Sequence, residues 1–78
     1  MRTPRNIDGI ELVKALSFFG YEITRQTGSH MRLTTSLKGE HHITIPNHRP
    51  LKIGTLNAIL SDVAEHLKIS RGEILEKL

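Results

Sequence analysis

Gly28-Ser29-His30-Met31-Arg32-Leu33-Thr34-Thr35, followed after five turn-forming residues by His41-His42-Ile43-Thr44-Ile45-Pro46, decides the fold. Side chains of an extended strand alternate between two faces, so Met31 and Leu33 share one face while His30, Arg32 and Thr34 share the other. Ile43 and Ile45 against His42 and Thr44 repeat the pattern. Just upstream, Tyr21 and Ile23 alternate with Glu22, Thr24 and Gln26, as in a half-buried strand over residues 21–26. Gly28-Ser29 supplies one tight turn and residues 36–40, with Lys38-Gly39, a second. Pro46 ends the third strand because it has no N–H to give to a ladder. Three short strands with short turns form an antiparallel meander.

Outside the strands the period changes from two to 3.6. Leu12, Val13, Leu16 and Phe19 form one stripe, Asp8 with Glu11 has the form of a capping box, and Gly20 closes the segment, so residues 8–19 are predicted as a helix. Residues 47–52, with Pro50, form a loop. From about Ile53 a second stripe runs through Leu56, Ile59, Leu60, Val63 and Leu67. Ser70 and Glu73 open a last short helix with Ile74, Leu75 and Leu78 apolar. The order α-β-β-β-α plus a short C-terminal helix predicts an α+β fold: a three-stranded antiparallel sheet with helices on one face and the other face wet. No repeat, linker or low-complexity tract divides the chain, and 78 residues suffice for one core, so residues 1–78 are expected to be a single domain.

The absence of cysteine excludes a disulfide framework and a Cys-ligated zinc, and suits a reducing cytoplasm. Residues 1–6 are polar and basic with no signal-type apolar region, and no later run is long enough to span a membrane. Residues 1–52 hold eight Lys/Arg against four acids; residues 53–78 hold three against four. A basic front and a neutral back suit an anionic partner, although a solubilising surface charge gives the same balance.

Five histidines are present, four of them between positions 30 and 48. Inward Met31 and Leu33 force His30 outward at the mouth of the Gly28-Ser29 turn, beside the cation Arg32. An accessible imidazole with an ordinary pKa of about 6.5 exchanges protons near neutrality. A plain surface histidine in a strand fits the same pattern. His42 also faces outward, and His41 inward. Adjacent strand residues on opposite faces cannot share an ion, and no His-x-His or His-x3-His pair exists, so no metal site is expected. The backbone N–H groups of Gly28 and Ser29 can approach a phosphate oxygen.

Three motifs in series carry a family resemblance: Gly28-Ser29-His30 after the first strand, Ile45-Pro46-Asn47-His48 ending the third, and Leu51-Lys52-Ile53-Gly54-Thr55-Leu56 followed by Ile59-Leu60. Together they resemble HicA, the toxin of HicA–HicB toxin–antitoxin pairs, over roughly residues 7–67. Thr27 stands where a basic residue commonly precedes the motif, and Met31 where a hydrogen-bonding residue often follows it. The resemblance implies a fold similar to the double-stranded RNA-binding domain and a metal-independent, ribosome-independent mRNA endonuclease without a cofactor. It maps the essential histidine onto His30 and implies a HicB-family antitoxin covering that surface.

RNA supplies its own nucleophile, the 2′-OH, so a metal-free ribonuclease needs a base, an acid and positive charge at the phosphate. His30 is the candidate for principal proton transfer and Arg32 for the phosphate clamp, with Gly28 and Ser29 at the turn and Arg25 nearby. His48 and His42 are candidates for the second proton transfer, and Arg49 and Lys52 for holding the RNA backbone on one rim. With one tyrosine and two phenylalanines, backbone or shape reading is favoured over base stacking. Two alternatives share these residues. One is a non-catalytic RNA-binding module of the same fold. The other is a DNA-binding helix-turn-helix over residues 62–74, with its second helix starting at Ser70.

Overall fold

A computed structural model describes residues 6–78. Arg2 and Arg5, which contribute to the basic front, lie outside the described residues. The elements are α1 (Gly9–Ser17), β1 (Glu22–Thr27), β2 (His30–Thr35), β3 (His41–Pro46), α2 (Ile53–Leu67) and α3 (Arg71–Leu75). The strands form one antiparallel sheet in the order β1-β2-β3. This is the α+β layout that the sequence predicts.

The inner face is apolar for the reason the alternation gives. Met31, Leu33, Ile43 and Ile45 are buried against Leu12 and Leu16 of α1 and Leu56, Leu60 and Val63 of α2. Tyr21, Leu51, Leu67 and Ile74 close the ends of this cluster. Burial of one such side chain contributes about 1.5–3 kcal/mol. The face is therefore fixed: a one-residue slip would put all four strand side chains into water.

Two features differ from expectation. First, β1 is exposed along its whole length rather than half-buried, and Ile23 retains 45% of its surface. It is an edge strand: α1 approaches it, but the Ile23 side chain stays outside the core. Second, the alternation of β1 breaks at a bulge: Ile23 pairs with Leu33, but Arg25 pairs with Arg32. The extra residue, Thr24, reverses the phase. Gln26 then faces the Met31 side, not the Glu22 side, and Arg25 joins the outer face.

Helix ends follow local chemistry. The Glu11 carboxylate accepts from the Asp8 N–H at 3.0 Å. α1 stops at Ser17, two residues earlier than its stripe suggests. The chain turns there through Gly20 at φ +83°, and the Tyr21 N–H returns to the Leu16 carbonyl. The Ser70–Glu73 capping box forms as predicted, its two bonds 3.0 and 3.2 Å long. Gly9 packs so tightly under β3 that a Cβ there would collide with the Pro46 carbonyl oxygen.

Candidate active site

The β1–β2 connection is a two-residue turn with positive φ at Gly28 (+59°) but not at Ser29, the pattern of a type II′ hairpin. It ends on His30, which pairs with Thr27 on one side and Pro46 on the other. The Asn47 N–H donates to the Ser29 carbonyl at 2.6 Å, which ties the loop after β3 to the turn. His30 is exposed on the outer face, and its ring makes no hydrogen bond or ion pair with any described residue. An imidazole without a protein partner has both nitrogens available to a ligand.

Arg32 lies two residues further along β2 on the same face, about 7 Å away. Arg25 stands directly opposite Arg32 across the ladder. Residues so paired have Cβ atoms about 5 Å apart, and like charges there repel. Neither guanidinium has an ion-pair partner among the described residues. Two unneutralised cations side by side next to a free imidazole form a site suited to an anion.

The other histidines divide cleanly. His48 is exposed in the loop two residues beyond Pro46, its ring unpartnered among the described residues, and its carbonyl accepts from the Gly9 N–H. Arg49 and Lys52 are exposed on the same loop. His42 is outward but occupied. Its Nε2 is 2.8 Å from Glu40 and its Nδ1 2.8 Å from the Thr34 hydroxyl, which in turn meets Thr24 at 2.9 Å. It sits opposite Thr34, four positions from His30 along the sheet, a separation of about 13 Å. The structure therefore brings His48, and not His42, toward the turn that carries His30.

His41 faces the helices. Its Nδ1 meets the Tyr21 hydroxyl at 2.7 Å and its Nε2 meets Asp62 at 3.1 Å. Burial, and secondarily the Asp62 charge, push the Tyr21 pKa up to about 12, so Tyr21 is a phenol that donates. A neutral His41 then accepts at Nδ1 and donates from Nε2 to Asp62, satisfying every atom. His66 stacks on it with ring centroids 4.3 Å apart, and its Nε2 reaches the carbonyls of Leu37 and Gly39. Among the described residues no three histidine, aspartate or glutamate side chains converge as metal ligands.

A model of the family described as "HicA toxin of bacterial toxin-antitoxin" matches residues 9–64. The chain belongs to the HicA toxin family. No curated protein and no solved structure matches it. The HicA match runs from the start of α1 into the last turn of α2, so it contains the turn, His30 and both arginines. It carries with it a toxin role and pairing with an antitoxin. The two departures from the usual HicA pattern fall into place. Met31 is sealed in the core and belongs to the fold rather than the site. Thr27 lacks a charge, but the bulge delivers Arg25 to the same face.

The helix-turn-helix alternative finds no support. α3 is five residues long, Ile74 is buried, and the Arg71 guanidinium bonds Asn57 and Ser61 of α2. In this HicA chain α3 caps the core.

Proposed function

We propose that this HicA-family toxin is an endoribonuclease that cleaves mRNA in the cytoplasm without a metal or cofactor, with His30 as the principal proton-transfer group. One observation carries the reading: an exposed imidazole at a two-residue turn beside two facing arginines, all three without an ion-pair partner among the described residues. In the proposed step His30 takes the 2′-OH proton and the 2′-oxygen bonds to phosphorus. The P–O5′ bond breaks, and the 5′-oxygen receives a proton from His48 or water. The products are a 2′,3′-cyclic phosphate and a 5′-hydroxyl. Arg32, Arg25 and the Gly28 and Ser29 N–H groups stabilise charge on the phosphoryl oxygens. Arg49 and Lys52 hold the backbone on the loop rim. The neutralising partner is a HicB-family antitoxin covering this face.

The test is incubation of purified protein with RNA in EDTA. Wild type shortens the RNA to fragments with cyclic-phosphate ends. His30→Ala stays folded, because the exposed ring makes no hydrogen bond or ion pair among the described residues, and loses about 10²–10⁴-fold of the rate. Undiminished cleavage in folded His30→Ala overturns the mechanism. RNA binding without cleavage identifies a binding module instead.

A further inference from the structure

β3 is the second edge of the sheet, opposite β1, and α2 runs beside it. Between them lies an open groove of about 480 Å³. This is within the range of about 300–1,000 Å³ typical of small-ligand sites. Its apolar floor comes from Ile43 and Ile59; Thr44 and His42 form the β3 wall. On the α2 side stand Ala58 and Asp62, one helical turn apart on a common face. Arg32 closes the groove toward His30. Arg32 therefore belongs both to the groove and to the cluster around His30, and Thr44 is its ladder partner.

The chemistry of the lining is specific. An apolar floor suits the face of a base ring. The one acidic group is held: Asp62 Oδ1 bonds His41, which is anchored through Tyr21 to the core, while Asp62 itself stays over half exposed. An oriented carboxylate accepts two hydrogen bonds from a group that presents adjacent donors. Among nucleobases, guanine offers that pair in N1–H and the 2-amino group. Uracil flanks its single N–H with two carbonyl oxygens, which a carboxylate repels. Single-stranded RNA is read through such unstacked bases and their Watson–Crick edges.

We infer that the β3–α2 groove is a base subsite that takes an unstacked guanine next to the scissile phosphate, with Asp62 as its specificity-determining acceptor. Ala58 keeps the space open. The inference rests on the endoribonuclease reading, and it names the nucleotide which that site selects.

The experiment maps cleavage positions on a randomised RNA pool with wild type, Asp62→Asn and Ala58→Leu. Folding of each is verified by thermal denaturation. Wild type cuts preferentially beside guanine. Asp62→Asn keeps an acceptor for His41 but loses the carboxylate, and the ratio of cuts beside guanine to cuts beside uracil falls about tenfold, the size expected for one bidentate base contact. Ala58→Leu, at an exposed helical position, fills the groove and flattens the same ratio. A wild type that cuts without guanine preference, or a preference unchanged in both folded variants, overturns the subsite and leaves the nuclease standing. A wild type that neither cuts nor binds the pool overturns the nuclease reading, and the subsite with it.

Discussion

Replacing either of the facing arginines should raise stability while lowering RNA affinity, a pair of effects that only a functional like-charge contact produces. Arg25 and Arg32 oppose each other on the ladder, with no ion-pair partner among the described residues. At a charge separation of about 7 Å in a water-like dielectric, their repulsion is roughly 0.6 kcal/mol. That lies inside the range of about 0.2–1 kcal/mol for cross-strand pairs. Arg32→Gln or Arg25→Gln keeps part of the aliphatic stem and removes one charge. In a domain this size the relief raises Tm by about 2–4 °C at low salt, and less at 0.15 M, where screening reaches about 8 Å. The same change removes one phosphate contact. For single strands each contact contributes about 0.7 to the slope of log affinity against log salt, so the slope becomes shallower by that amount. Across 50 to 200 mM salt, the variant then loses about threefold less affinity than the parent. Thermal denaturation and a salt titration of RNA binding, both in a His30→Ala background that cannot cut, read the two effects. A lowered Tm together with an unchanged salt slope in both variants refutes the reasoning.

Gly9→Ala drives a Cβ into the backbone at Pro46 and Asn47, and should cost about 2 kcal/mol, a Tm loss of roughly 10 °C in a melting experiment. Because Asn47 also binds the Ser29 carbonyl, cleavage should fall below what the lost stability explains. Tyr21 is the sole tyrosine, so tyrosinate absorbance reports it alone; its midpoint should lie near pH 12 in the folded protein and near 10 in denaturant. The folded state holds this proton more tightly, so stability is full below pH 10 and falls by roughly 2 kcal/mol by pH 12. Tyr21→Phe should abolish that component of the alkaline loss, as melting curves at pH 9 and 11.5 would show. His48→Ala should slow cleavage by at least tenfold, whereas His42→Ala, about 13 Å from His30, should leave the pH–rate profile unshifted.

The face on which His30 stands was legible because Met31, Leu33, Ile43 and Ile45 leave only one phase that buries them. The element order and both capping boxes followed from similarly local rules. The bulge at Thr24 was not legible: no glycine or proline marks it, and Thr24 suits a regular strand equally well. Without it Arg25 falls on the wrong face, and the facing arginine pair disappears. The exposure of β1 was hidden for a related reason, since Ile23 alternates correctly but sits on an edge strand, outside the core. The partners of His41 and the β3–α2 groove depend on residues about 20 positions apart in sequence, a distance over which strand and helix periodicity carry no signal.

The histidines show why residue type alone underdetermines a site. His41 and His30 belong to the same sheet, about 17 Å apart along it, and carry the same ring. At the β3 start, a buried tyrosine, an aspartate and a second imidazole occupy both nitrogens and one face of His41. A ring so held contributes to packing and orients Asp62, and it has no nitrogen left for a ligand. At the hairpin the neighbours of His30 are a glycine turn, a proline and two cations, none of which engages its ring. Residue type is the same at both places, and it is the neighbours that leave one ring open to a ligand and commit the other.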